Sequence, residues 1–412
     1  MTDQPNLVLI MSDQQRWDSL ACYGNRFTET PCLDRLAAQG ARFTKCFTPW
    51  PVCTPARATM WTGVYPHAHG VTQNVYGIDN ALASVSRVST TVFDLLRAAG
   101  YETAYFGKWH LGEKNPGVFD VWDGFNSREP HWVGGITDGQ YRPDVQTDRC
   151  IEFMRLRRAR RRPFVMVQGY YPPHDPFTAP RRFYEPYRGR GVPFPGYYAA
   201  VSNIDYNVGR IVEAVDALGL ADDTIILFFS DHGETFLYRA EGEHKFVCHD
   251  EAIRVPLIVR WPGHAVPGAV LDPVVGLEDL MQTLLDVAGV APPRYLHGHS
   301  FRPWLEGRVG RSRDAYYVEN ITHRNRYVQR CIRTDDWKLI LSEDGPQTLY
   351  SLRSDPEEEL DVFYTPRDDP MKQFAHLPSY AVEIRLLAET LRGYAGAIDD
   401  RVGVALADRV LA

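Results

Sequence analysis

Short apolar runs alternate with segments of helical periodicity over the first three-quarters of the chain, the pattern of a parallel sheet whose strands are buried on both faces. It predicts strands over 6–11, 102–106, 164–169, 224–229 and 256–260. Between them it predicts helices over 31–39, 91–99 and 203–218, closed by Gly40, Gly100 and Gly219. From about residue 315 the rhythm shortens. Ala315–Glu319, Tyr327–Arg333, Trp337–Ser342 and Thr348–Leu352 are short alternating segments separated by Asn, Asp and Gly turn signals, and 380–393 carries apolar residues at helical spacing. The expected fold is α/β: a large mixed, mostly parallel sheet sandwiched by helices over 1–314, then a smaller antiparallel sheet plus helix over 315–412. No internal repeat or low-complexity linker interrupts it.

Composition narrows the setting. A chain of 412 residues with 44% hydrophobic content has ample core, so disorder is excluded. A net charge of -7 gives no global attraction to nucleic acid or an anionic membrane, so any anion site must be a local cationic cluster. The segment Arg155–Arg162 holds six Arg in eight residues, yet without interleaved aromatics it reads as a solvated helix end. Seven Cys, odd in number and with no C-x-x-C pair, disfavour a disulfide framework and a zinc knuckle and fit reduced thiols. The first apolar run, Leu7–Met11, is too short for a signal-peptide core or a membrane span. The expectation is a cytoplasmic protein with neither a nucleic-acid nor a membrane partner.

Candidate chemistry centres on Cys53-Thr54-Pro55-Ala56-Arg57. Pro55 has the fixed φ of a first helical residue, which makes Thr54 the expected N-cap of a short helix ending at Gly63. Cys53 then sits beside a helix N-terminus, where backbone N–H groups lower a thiol pKa and attract an anion, and Arg57 adds a two-pronged donor. The same five residues also describe an inert Cys before an ordinary helix, so support must come from elsewhere. Ligands of open α/β sheets bind beyond the carboxyl ends of the strands. Those ends carry Asp13-Gln14, Lys108-x-His110, His174 and Asp231-His232, with Lys245 in the loop before the last strand. Asp13, Gln14, Asp231 and His232 offer three oxygens and one imidazole, a set suited to Ca²⁺, Mg²⁺ or Mn²⁺, although either Asp also makes a good helix cap. Lys108, His110, His174 and Lys245 supply cationic and proton-transferring groups. His67 and His69, bounded by Gly and Pro, are expected to pack, as are Cys248 and His249.

With these residues assembled, the chain resembles the formylglycine-dependent sulfatases of the alkaline phosphatase superfamily. The matching pieces run in order through Asp13-Gln14-Gln15-Arg16, Tyr23-Gly24-Asn25, Thr30-Pro31, Cys53-x-Pro55-x-Arg57, Thr62-Gly63-x-Tyr65-Pro66, Gly107-Lys108-Trp109-His110-Leu111-Gly112, Pro173-His174, Ser230-Asp231-His232-Gly233 and Arg254-Val255-Pro256. The resemblance implies that a formylglycine-generating maturation enzyme oxidises Cys53 to an aldehyde, present as its gem-diol. One hydroxyl would attack the sulfur of a small-molecule sulfate ester, and the other would later expel sulfate. It implies one divalent ion, Ca²⁺ first, held by Asp13, Gln14, Asp231, His232 and an oxygen of modified Cys53. Arg57 and Lys108 would stabilise the diol and sulfate, His110 would take the diol proton, and His174 and Lys245 would contact sulfate and the ester oxygen.

Gln14 departs from the Asp-Asp common in sulfatases. With His232 it is shared with relatives that hydrolyse phosphonate monoesters and phosphodiesters, which makes such a hydrolase the alternative; Lys108-x-His110 argues against that branch. A binding protein on the same fold would need a vacant catalytic position, and none is visible. A thiol hydrolase would leave both ligand pairs without a purpose. The chain is compact for the family, and a homo-oligomer could supply missing pocket loops.

Overall fold

The computed structural model describes residues 4–136, 139–159, 162–238, 242–322, 326–363 and 380–412. The strands are β1 (Asn6–Asp13), β2 (Ala41–Phe47), β3 (Glu102–Lys108), β4 (Val121–Phe125), β5 (Trp132–Val133), β6 (Gln140–Tyr141), β7 (Phe164–Pro173), β8 (Thr224–Ser230), β9 (Arg254–Arg260), β10 (Ala269–Leu271), β11 (Val275–Gly276), β12 (Tyr316–Ile321), β13 (Val328–Arg333), β14 (Trp337–Ser342) and β15 (Thr348–Ser351). The main sheet has the order β10-β2-β9-β8-β1-β7-β3-β4, with β11 also paired to β2. β1 lies at its centre, parallel to β7 and β8, while β9 runs antiparallel to β8 and β2. The sheet is mixed and mostly parallel, as expected.

Alternation sends successive β1 side chains to opposite layers. Leu7, Leu9 and Met11 join one buried cluster with Val165, Val167, Leu227 and Phe229; Val8 and Ile10 join another with Met166, Ile226 and Phe228. Helices cover both. The helix expected over 203–218 begins earlier, at Pro195, where proline fits the first turn because it needs no N–H partner there. β2 and β4 have no counterpart in the sequence reading, since Arg42, Thr44 and Lys45 in β2 and the half-buried positions of β4 dilute their apolar runs. The helix Arg142–Arg157 supplies the solvated end expected at Arg155, while its start at Arg142 has no counterpart in the sequence pattern. At its end Arg155 pairs with Glu152 and Arg157 with Glu102, whereas Arg160 and Arg161 lie outside the described residues.

The second sheet, β12-β13-β14-β15, is antiparallel throughout. One face packs Ile332, Leu339 and Leu341 against Leu387, Leu391 and Leu406 of two helices, Ala381–Ala397 and the unanticipated Arg401–Leu411. The opposite face packs Val318, Cys331 and Ile340 against Phe47 and Ile253 of the main layer. One backbone and one side-chain hydrogen bond from this sheet reach the loops around Cys53: Glu319 N–H donates to Pro49 O at 2.9 Å, and Asn320 Nδ2 to Phe246 O at 2.7 Å.

Candidate active site

The carboxyl ends of β1, β3, β7 and β8 bring Asp13, Gln14, Lys108, His110, His174, Asp231 and His232 to one edge of the sheet, and the loop before β9 adds Lys245. The helix Cys53–Thr62 points its first residue at them. Its N-cap is Val52, with extended backbone at φ -153° and ψ 140°, and Cys53 is already helical. The expected cap at Thr54 is therefore corrected: Pro55 falls at the third helical position, still within the turn where a missing N–H costs nothing. Thr54 instead ties two pieces of the site together. Its Oγ1 donates to His110 O at 2.9 Å, and its N–H donates to Asn74 Oδ1 at 3.1 Å.

Asp13, Gln14, Cys53, Arg57, Lys108, His110, Asp231, His232 and Lys245 are buried, and His174 is half-buried. Arg57 donates from Nη2 to Asp13 Oδ2 at 2.7 Å and from Nε to Asp231 Oδ2 at 2.9 Å, holding the outer oxygen of both carboxylates. Around Cys53 Sγ lie His232 Nε2 at 3.1 Å, Lys245 Nζ at 3.4 Å, Asp13 Oδ1 at 3.6 Å and Lys108 Nζ at 3.7 Å. Lys108 Nζ also pairs with Asp13 Oδ2 at 2.7 Å and sits 4.2 Å from the centre of the Tyr171 ring. Lys245 Nζ donates to Gln14 Oε1 at 2.6 Å and to His174 Nε2 at 3.1 Å, while His174 Nδ1 donates to Asp175 O at 2.9 Å. The residues assigned to the site from the sequence thus converge.

The electrostatics favour an anion at residue 53. Burial pushes the Cys53 thiol up, but Lys108, Lys245 and His232 outweigh it and hold the group well below its ordinary range. Burial likewise opposes ionisation of Asp13, yet Lys108 and Arg57 keep it below the usual carboxylate range. Asp231, next to the charged Asp13, is raised by burial and by that neighbour. His110 is driven down to about 4 by burial and Lys108, so its ring is neutral near pH 7. Neither of its buried ring nitrogens has a hydrogen-bond partner among the described residues, and the ring interacts electrostatically with Cys53.

The donor set fits a hard divalent cation. One ligand atom each from Asp13, Cys53, Asp231 and His232 lies within 4.8 Å of the others. Arg57 occupies the outer oxygens of both carboxylates, leaving their Oδ1 atoms on the cluster side. His232 Nδ1 lies 2.9 Å from Gly233 O, which places its hydrogen there and leaves the Nε2 lone pair facing the cluster, the arrangement typical of metal-binding imidazoles.

Some participants carry no signal strong enough to read from sequence. Glu234, fully buried, accepts from Gln14 Nε2 and from His244 Nδ1, the latter at 2.8 Å, and so fixes the orientation of the Gln14 amide. It is one acid among many in the chain, and only its spacing after Asp231 marks it. Tyr76, whose ring centre is 5.5 Å from that of His110, is equally ordinary in sequence. His67 and His69 stay out of the cluster. His69 Nε2 meets Thr59 Oγ1 at 3.0 Å, and His67 faces Glu319 of β12.

Comparison with known proteins places the chain among sulfatases. The model of the sulfatase family matches residues 5–290, and that of the N-sulphoglucosamine sulphohydrolase C-terminal region matches residues 242–377. The chain is 28% identical over 426 residues to the uncharacterized sulfatase YidJ of Escherichia coli strain K12, covering 86% of this chain and 82% of that protein. It is 30% identical over 371 residues to the N-acetylgalactosamine-6-sulfatase of Homo sapiens, covering 77% and 69% of the two chains. Its fold is similar to the crystal structure of the putative sulfatase yidJ from Bacteroides fragilis, with a TM-score of 0.83 at 24% identity over 98% of each chain.

Proposed function

The chain belongs to the sulfatase family and is a sulfatase enzyme; from that premise we propose that it hydrolyses sulfate esters of small molecules through a formylglycine made from Cys53 by a maturation enzyme. The observation that carries the proposal is the position of Cys53 Sγ, enclosed by His232 Nε2, Lys245 Nζ, Asp13 Oδ1 and Lys108 Nζ at 3.1 to 3.7 Å. An oxygen replacing that sulfur would inherit surroundings that already stabilise negative charge.

In this reading Asp13, Gln14, Asp231 and His232 would hold one divalent cation, Ca²⁺ first by the family resemblance with Mg²⁺ and Mn²⁺ also suited to the set, together with an oxygen on residue 53. When bound, the cation supplies Lewis-acid polarisation and lowers the pKa of the attacking hydroxyl. The chain's own groups do the rest. Arg57 fixes both carboxylates and keeps their inner oxygens aligned. Lys108, clamped between Asp13 and the Tyr171 ring, places a fixed ammonium beside the reacting atoms, so no solvent reorganisation is needed as charge develops. His110, neutral and beside residue 53, accepts the proton of the diol hydroxyl. Lys245 and His174, 3.1 Å apart, face the ester oxygen and return a proton to the departing alcohol.

Residues 1–314 form the catalytic unit in this reading, with 315–412 a subdomain that supports the loops around Cys53. A cytoplasmic setting belongs to the same reading and is supported by seven cysteines that are all free. Among the described residues no helix is long and apolar enough to cross a membrane.

Matured protein assayed on matched aryl sulfate and aryl phosphonate esters tests the proposal. A higher kcat/KM on the sulfate is expected. A large preference for the phosphonate would instead assign the enzyme to phosphonate monoester or phosphodiester hydrolysis with the same nucleophile.

A further inference from the structure

A cavity of about 410 Å³ adjoins the cluster and shares His174 and Tyr171 with it. The Tyr171 ring carries Lys108 Nζ on one side, and its centre lies 4.9 Å from the ring of His131 and 5.1 Å from that of His174. An ester whose sulfur lies at residue 53 and whose bridging oxygen faces the Lys245–His174 pair therefore has its alcohol half directed at this cavity.

The lining specifies what that half contains. Trp132 and Tyr171 offer aromatic surface for a ring. His131 is 3% exposed, and neither ring nitrogen has a hydrogen-bond partner among the described residues. Leaving a buried polar group unpaired is unfavourable, and a ligand hydroxyl relieves it. Burial first, then the neighbouring His174 and Lys108, hold His131 down to about 4, so it presents one donor and one acceptor. Two acids also line the cavity, and both are already matched: Glu129 Oε2 takes Arg142 Nη2 at 3.0 Å, and Asp175 Oδ1 lies 3.0 Å from His174 Nδ1. Arg128 is the contrast. Its guanidinium lies 4.1 Å from the centre of the Tyr76 ring and has no carboxylate partner among the described residues.

We propose that the alcohol half of the substrate carries a second anionic group, a carboxylate or a further sulfate, gripped by Arg128 while His131 hydrogen-bonds a neighbouring hydroxyl. This rests on the sulfate-ester reading above and names the class of alcohol that the site selects. The Tyr76 face holds the guanidinium planar at the cavity mouth, where its paired N–H groups match two oxygens of a carboxylate or sulfate. Arg128 is exposed, so its contribution falls as salt screens it.

The test uses two nitrophenyl sulfates that differ only in a meta substituent, carboxylate or carboxamide, on wild type, R128A and R128K. Wild type is expected to favour the carboxylate in kcat/KM. R128A lowers that preference about five- to tenfold, chiefly through KM, and R128K retains part of it. An unchanged preference in R128A, or a wild-type preference for the carboxamide, overturns the inference. Calorimetry with the free carboxylated and carboxamide nitrophenols separates the two layers of the argument. If neither ester releases sulfate but the carboxylated phenol binds in an Arg128-dependent way, the anion site stands and the sulfate-ester reading falls. If the phenols bind alike, the anion site falls.

Discussion

Arg57 is the residue on which the centre depends, because one guanidinium neutralises two buried carboxylates and aims both. Replacing it with Ala leaves Asp231 buried without its ion-pair partner and Asp13 with Lys108 alone, a change expected to cost about 3–5 kcal/mol of stability. Lys at the same position keeps the charge but brings a single ammonium to oxygens that Arg57 reaches separately from Nη2 and Nε. Denaturant unfolding is expected to rank the proteins wild type, R57K, R57A; equal midpoints would show that the two ion pairs do not hold the site. The members of this cluster were legible in sequence because chemistry-bearing residues sit directly after apolar strands, where topology forces them together. Glu234 was not legible: its role is set by the position of the Gln14 amide, which only the folded chain defines.

Among the elements, the turn after the Cys53 helix is clasped by the second sheet. His67 presents Nδ1 to Glu319 Oε1 at 2.5 Å and Nε2 to Ile398 O at 2.8 Å, so both ring nitrogens meet acceptors and the imidazolium is the favoured form. Asp400 and Arg330 stand behind Glu319, and His297 stacks on the ring at 5.8 Å. Burial lowers the His67 pKa, but the Glu319 carboxylate raises it further, leaving it above 6.5 in the fold. A raised folded-state pKa contributes stability that is complete below the unfolded value and lost as pH rises through the folded one. The gap in Tm between wild type and H67Q is therefore expected to shrink as pH rises above about 6.5, the unfolded value. A gap that stays constant or widens would place the clasp elsewhere. Sequence pattern marked His67 only as a packing residue, since its partners lie some 250 and 330 positions away. The N-cap was misplaced for a related reason: Pro55 fits the first or the third helical position equally well, and the extended backbone of Val52 decides.

For the whole molecule, the sheet class and the change of style near residue 315 were readable from period alone, because buried strands and short antiparallel segments have different hydrophobic rhythms. Strand order was not readable, and neither was the antiparallel placement of β9, since a strand's apolar run is the same in either direction. The assembled layers hold the two acids of the cluster close together. A bound cation then becomes part of the fold's stability. Chelation is expected to lower Tm, and Ca²⁺ at about one hundred times its Kd to return about 2.7 kcal/mol; a Tm indifferent to both would remove the cation from the account. The central claim, that residue 53 acts as an oxidised cysteine, is most directly tested by mass spectrometry of peptide 46–57 from enzyme that hydrolyses an aryl sulfate. An aldehyde or its hydrate is expected at position 53, and an intact thiol there in fully active enzyme would overturn the formylglycine mechanism.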